Sequence, residues 1–419
     1  MLLLSRLHCL LAICALSRFN ALAISSKRDG CAGMLATATA VAERLQSNYY
    51  NTITGEYSEL WTDANTLEDI HNLMLAAGTM TWDSLADESF IGRFANVDIS
   101  AVWSIVLGGS YDDAQWVILA LWKMADYKAT HGEDYSSFTD SATAIYDIVA
   151  AQWDNICGGG GNSVWWSSAK TYKNAITNEL FLYTSALGYI RTQTQSYLDN
   201  AEMTWAWLEQ SGMRNSQGLW NDGLNMTSCQ NNGDTTWTYN QGVIASGLAA
   251  LSRTTSNTTL LDQAEITLDA TINFLTQDNI LKESCDDVVS DGSTCDADEQ
   301  IFKGVWTKHL QYYLDNANDT SRTAKYSPFL GSQKTAIINH AINSSNDVSS
   351  AWYAANQGGG LFSAQSAASG LAALNAAAKD CHVGSTTQNI NVAGGLQTDN
   401  NGDGSGSEKS PGEPATCLN

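Results

Sequence analysis

The chain has 419 residues, 44% hydrophobic and only 16% charged, enough apolar material for one large domain or two small ones. Forty-four acids against 21 bases give a net charge of −23, and a surface of that sign repels phosphate backbones and anionic lipid heads. Nucleic-acid and membrane-surface partners are therefore excluded. The 14 Trp and 16 Tyr are expected mostly to fill a core, with the remainder as candidates for a groove whose aromatic faces stack on sugar rings.

Residues 1–23 read as a secretory signal. Arg6 supplies the positive charge, Leu10 to Leu16 the apolar run and Ala21-Leu-Ala23 the small-residue cleavage site. The run is too short to span a bilayer, and no other stretch reads as a transmembrane segment. A dibasic Lys27-Arg28 is a candidate second processing site. Nine cysteines fit an oxidising compartment; Cys9 and Cys14 leave with the signal. Of the seven that remain, Cys285 and Cys295 flank an acidic loop and form the one pair that can be proposed, and an odd thiol is left over. Sequons at Asn225, Asn257, Asn318 and Asn343 agree with secretion.

Helical periodicity recurs along the chain and alternating strand patterns are scarce. Twelve helices are expected, over 33–50, 62–77, 83–95, 112–130, 137–153, 174–193, 196–211, 238–253, 258–277, 298–316, 325–344 and 361–378. Two classes alternate. Helix 137–153 is amphipathic, with Ile145, Ile148, Val149 and Trp153 on one side, whereas 112–130 and 238–253 are dense in small and apolar residues. This predicts an inner ring of buried helices inside an outer, amphipathic ring. Ala245-Ser-Gly-Leu-Ala-Ala-Leu251 recurs as Ala368-Ser-Gly-Leu-Ala-Ala-Leu374, each after Asn-Gln-Gly, as helical-hairpin repeats do. Residues 381–419 turn Gly-, Asn- and Ser-rich and read as a disordered tail, leaving 24–380 as one domain. The last residues, Ser410 to Asn419, lack the hydrophobic stretch of a lipid-anchor signal.

Chemistry is concentrated where loops enter helices. Gly108-Gly109 precedes two adjacent acids, Asp112 and Asp113, at the start of the 112–130 helix. Acids there cap N–H groups and favour the dipole, which alone would explain them. They also fit glycoside hydrolysis, which needs two carboxyl groups flanking the scissile bond. Neighbours on one backbone favour the short spacing of retaining enzymes, and the charge of one raises the pKa of the other. This logic leaves open which Asp is the nucleophile. Similar polar-aromatic stretches are Trp61 to Asp69, Gly158 to Trp166, Tyr172 to Glu179, Trp220-Asn-Asp-Gly223, Trp237 to Gln241 and Phe302 to Trp306. No phosphate loop, zinc-protease, serine-hydrolase or calcium-loop motif occurs, and no metal or organic cofactor is implied.

Tyr111-Asp-Asp-Ala-Gln-Trp116, Tyr172-Lys-Asn-Ala-Ile-Thr-Asn-Glu179, Trp237-Thr-Tyr-Asn-Gln-Gly242 and Phe302-Lys-Gly304 together resemble glycoside hydrolase family 76, over residues 33–378. The resemblance implies an all-α (α/α)6 barrel and endo-cleavage of α-1,6-mannan with retention. It implies Asp112 as nucleophile, Asp113 as acid/base and Asp222 as an acid that contacts the sugar near the cleavage point. Asn65, Trp166, Lys173, Asn178, Glu179, Tyr239 and Asn240 fall in motifs lining the groove. The implied partner is α-1,6-mannan or manno-oligosaccharides, bound by a secreted monomer. Fungal relatives include wall proteins thought to transfer glycans to wall polymers, so a cell-wall transglycosylase is the alternative.

Overall fold

A computed structural model describes residues 35–97, 100–158, 163–288, 292–355 and 359–379. The signal, the tail, Cys31, Cys381, Cys417 and the second Asn-Gln-Gly lie outside these residues.

The helices in chain order are α1 (35–48), α2 (Leu60–Ala77), α3 (Leu85–Glu88), α4 (Phe90–Ala95), α5 (Ser100–Val106), α6 (Tyr111–Thr130), α7 (Ser136–Ala150), α8 (Ala175–Thr192), α9 (Gln195–Gln210), α10 (Thr238–Thr255), α11 (Thr259–Phe274), α12 (Phe302–Ala317), α13 (Thr320–Ala336) and α14 (Ala364–Lys379). Helices α2, α6, α8, α10, α12 and α14 pack each on the next, and α14 closes on α2. This is the (α/α)6 barrel. The others form the outer layer, with the short α3–α5 segment standing where the other hairpins have one helix.

The two sequence classes explain the two layers. On α7 the buried residues are Phe138, Ala142, Ile145, Tyr146 and Val149, one helical stripe. Burying each of the larger ones contributes about 1.5–3 kcal/mol. On α8 every residue from Ala175 to Ala186 is buried, because both layers and two ring neighbours surround it. Small residues permit that crowding. A Cβ on Gly304 of α12 would lie 2.3 Å from the Ser369 Cα of α14, so only glycine fits.

Several boundaries differ from the sequence expectation. The 83–95 helix is two, because Ser89 is extended and caps α4 by accepting from the Gly92 N–H. Helix α5 is not anticipated. The 137–153 helix stops at Ala150, and Trp153–Asp154 instead pairs with Ser163–Val164 as a two-stranded ribbon. Likewise 276–277 pairs with 280–281 after α11. The helix expected from 325 begins at Thr320, where Asp319 caps it, runs through Pro328 and ends in a π-turn over Ile337–Ala341.

Cys285 and Cys295 are bonded, as expected, and Cys157 pairs with Cys229, 72 residues away. All four sequon asparagines are exposed. Among the described residues no helix is long and apolar enough to cross a membrane.

Candidate active site

Because inner and outer helices alternate, all six inner helices start at the same end of the barrel. The candidate residues gather there. Gly108 and Gly109 have φ of 59° and 83°, and a Cβ on Gly109 would meet Ser168 Oγ at 2.3 Å. The turn they make lays residues 109–111 against 166–168. The Ser168 N–H donates to the Gly109 carbonyl at 2.8 Å and the Tyr111 N–H to that of Trp166 at 2.9 Å. Asp112 and Asp113 follow in the first turn of α6.

The two carboxyls have different surroundings. Asp112 Oδ1 accepts from the Ser110 hydroxyl at 2.7 Å and from the Asp113 N–H at 3.1 Å, and Oδ2 accepts from the Trp166 indole at 3.1 Å. Burial pushes Asp112 up, and these donors pull against it. Asp113 is pushed up to about 7, first by burial and then by the charge of Asp112, with Asp298 and Glu59 adding to it.

One wall of the groove is Trp166, 41% exposed, with Tyr172 edge-on to it at 6.4 Å. The Tyr172 hydroxyl donates to Asp222 Oδ2 at 2.7 Å and accepts from Asn232 at 3.0 Å. At the same end of the barrel the Trp61 indole donates to Asp298 at 2.8 Å, and Phe302 packs against Trp61 and stacks on Tyr239 at 4.0 Å. The half-buried Tyr239 has Asp222, Asp112, Glu179 and Asp298 around it; burial and then their charges hold its phenol well above the usual range. Glu179 and Asn240 are buried beside them.

The structure thus brings Asp112, Asp113, Trp166, Glu179, Asp222, Tyr239 and Asn240 together. The other three expected groove residues meet partners away from this cluster. Lys173 is fully buried and its ammonium is used up: it pairs with Asp154 at 2.6 Å and donates to the Ile156 carbonyl at 2.7 Å and to Ser163 Oγ at 2.9 Å. Asn178 bonds both backbone groups of Val164, at 2.8 and 3.1 Å. Both residues hold the 153–164 ribbon that delivers Trp166 and do not line the groove. Asn65 is buried, accepting from Lys308 at 2.8 Å and donating to the Trp61 carbonyl at 3.0 Å, so it supports Trp61 from below.

Ser110, Tyr172 and Asp298 were not singled out from sequence. Tyr172 and Trp61 stand in stretches that the polar-aromatic pattern flagged; Ser110 and Asp298 carry no local signal. Cys285, Cys295 and Glu299 converge as a metal site would, but the two sulfurs are bonded to each other.

Comparison with known proteins follows the same geometry. The sequence model of glycosyl hydrolase family 76 matches residues 33–389. A Schizosaccharomyces pombe relative is 27% identical over 290 residues, 66% of this chain and 64% of its own length. The mannan endo-1,6-alpha-mannosidase DFG5 of Saccharomyces cerevisiae is 26% identical over 252 residues, 58% of this chain and 54% of that protein. The chain thus spans between half and two thirds of the length of these relatives. Among solved structures, an alpha-1,6-mannanase of Salegentibacter sp. HEL1_6, inactivated by asparagine at two consecutive aspartates and bound to alpha-1,6-mannotriose, superposes with a TM-score of 0.68 at 17% identity, covering 83% of this chain and 99% of that one. Dfg5 of Chaetomium thermophilum in complex with glucosamine gives 0.69 at 16% identity, covering 83% of this chain and 90% of that one.

Proposed function

The chain belongs to glycosyl hydrolase family 76, and on that premise we propose that it is an endo-acting α-1,6-mannanase that cleaves with retention, with Asp112 as nucleophile and Asp113 as acid/base. The observation that carries this reading is the unequal pair at the start of α6. Three hydrogen bonds favour the ionised form of Asp112, as a nucleophile needs. Burial and the charge of Asp112 push Asp113 up to about 7, as a general acid working at neutral pH needs. Inactivation of the Salegentibacter mannanase by replacement of two consecutive aspartates supports the same assignment.

The reaction runs in two displacements. An Asp112 oxygen attacks the anomeric carbon while the bond to the leaving oxygen breaks, and that oxygen takes the proton of Asp113. The ester neutralises Asp112. Asp113, now ionised, takes a proton from water as the water oxygen attacks the same carbon and the carboxylate of Asp112 departs. Two inversions give net retention. Trp166, exposed and bonded to Asp112, offers a stacking face for a sugar ring next to the pair. We assign to Asp222, held by Tyr172, the contact to the sugar next to the cleaved bond, as the family pattern implies.

Replacing Asp113 by Asn spares turnover of an aryl mannoside with a good leaving group far more than that of mannan; replacing Asp112 abolishes both. If either variant cleaves mannan like wild type, the assignment fails. A second reading is transfer of the mannosyl unit to another sugar, favoured by the binding of glucosamine, a sugar other than mannose, in the Chaetomium relative. Products longer than an α-1,6-manno-oligosaccharide substrate identify it. We assign residues 24–380 to the catalytic unit and 1–23 to a secretory signal, and the two disulfides fit the oxidising compartment this leads to.

A further inference from the structure

Seven acids of the described residues are buried, and six have a partner for at least one oxygen. Asp286 pairs with Lys303, Glu68 with Lys308 at 2.7 Å and Asp347 with Arg44 at 2.7 Å; Asp69 lies 3.3 Å from Lys308. Glu283 accepts from Thr238, and Asp63 from the Tyr57 N–H at 2.7 Å. Glu179 is the exception: it is 0% exposed and neither carboxyl oxygen has a hydrogen-bond partner. Its neighbour on the adjacent inner helix, Asn240, is also 0% exposed, and its amide lies against the Asp222 carboxylate. An unpaired carboxylate is too costly to bury, and even a neutral polar group is not left bare for stability. The charge nearest to Glu179 is the Asp222 carboxylate, and Tyr239 of α10 lies beside both, with Asp112 of α6 as a further neighbour of that phenol. No cation is among them.

We propose that Glu179 is a positioning residue that works as a neutral carboxylic acid: it offers one O–H donor and one carbonyl acceptor to the Asp222–Asn240 end of the groove, and these bonds close when the sugar is bound. The placement explains its identity. A second carboxylate would repel Asp222, whereas a carboxylic acid donates to it without bringing charge of either sign into a groove built for a neutral sugar. Hydrogen bonds at catalytic sites are often open in the free enzyme and tighten in the complex. Burial and the charge of Asp222 both hold the Glu179 carboxyl well above its usual range, in agreement.

The proposal rests on the mannanase reading for its role and on the protonation state for its chemistry, and the two are tested separately. The first measurement is the infrared difference spectrum of wild type minus E179Q at pH 7. The expected result is loss of a protonated-carboxyl C=O band; loss of carboxylate bands instead overturns the proposal. The second is steady-state cleavage of α-1,6-mannotetraose. Glutamine keeps a neutral donor and acceptor, so E179Q retains kcat/KM within about threefold. E179A loses about a hundredfold, mainly in kcat, through misplacement of Asp222. A space-filling Glu179 predicts instead that E179A lowers Tm and leaves kcat/KM unchanged, and that result overturns the proposal. So does an E179Q that fails to fold or is as damaged as E179A. If the wild type has no activity on mannan, the mannanase reading is what fails, and the infrared result still decides the protonation state.

Discussion

Two inner helices carry consecutive acids, Glu68-Asp69 on α2 and Asp112-Asp113 on α6, and the barrel treats them in opposite ways. Lys308 of α12 lies 2.7 Å from Glu68 and 3.3 Å from Asp69, and the Tyr312 hydroxyl donates to Glu68 at 2.8 Å. Although burial pushes Glu68 up, the Lys308 ammonium, with Lys123 adding to it, holds it below the usual carboxylate range; Asp69, raised first by burial and also by the charge of Glu68, rises to about 7. Around Asp112 and Asp113 the charges that act are further acids, Asp298 and Glu59, and the neutral donors Ser110 and Trp166. A structural pair is given a cation of its own. The pair at the mouth is given neutral donors for one member and like charges for the other, and burial raises both. The lesson is that adjacency of acids says little and the partner decides.

That contrast can be broken in several ways. The largest effect is expected from D112N, which abolishes mannan cleavage; D113N loses on the order of 10²–10⁴ in kcat on mannan. Both keep or raise Tm, since they remove a crowded charge. Kinetics and a thermal melt on the same samples check this, and a large drop in Tm would place the pair with the structural acids. Lys308→Met is the mirror image. It leaves Glu68 and Asp69 without the cation that contacts them and costs about 3–5 kcal/mol in urea unfolding. A loss below 1 kcal/mol would mean that the inner pair is not held by charge.

Next in size is the C157A/C229A double variant, which opens a loop of 72 residues and lowers stability by about 2–4 kcal/mol. The bridge ties the ribbon that delivers Trp166 to the hairpin after Asp222, so KM for mannan rises as well, while Cys285→Ala leaves KM unchanged. The smallest effect concerns pH. An unfolded Asp titrates near 4, and folded Asp113 near 7, so between those values the folded state binds the extra proton. Its contribution to stability is therefore present at low pH and lost as pH rises through 7. D113N is expected to melt higher than wild type at pH 8 and no higher at pH 4. An equal difference at both values would remove the raised Asp113 from the account.

Much of this was legible in the sequence. The alternation of amphipathic and small-residue helices reports the two layers directly, because each layer imposes its own periodicity. The Gly108-Gly109 turn and the acids after it report the start of α6, since backbone conformation and capping are local. What was not legible shares a cause. Lys173 and Asn178 sit in polar, loop-to-helix motifs like those of the groove residues, yet they point into the ribbon behind Trp166. Asp298 has no motif at all and reaches the groove only because Trp61, 237 residues away, donates to it.

What the amino-acid order determined by itself was the set of local structures: where inner helices begin, which faces are apolar, and that two carboxyls enter one helix side by side. The tertiary structure alone decided which acids meet a cation, which cysteines pair, and which polar side chains stay without a partner. Burial and charge pairing depend on residues brought together by ring closure, and no short stretch of sequence encodes its distance to the rest of the ring. Glu68-Asp69 and Asp112-Asp113 look alike on the page, and it takes partners brought in from elsewhere in the ring, Lys308 of α12 for the one and Trp166 and Asp298 for the other, to tell them apart.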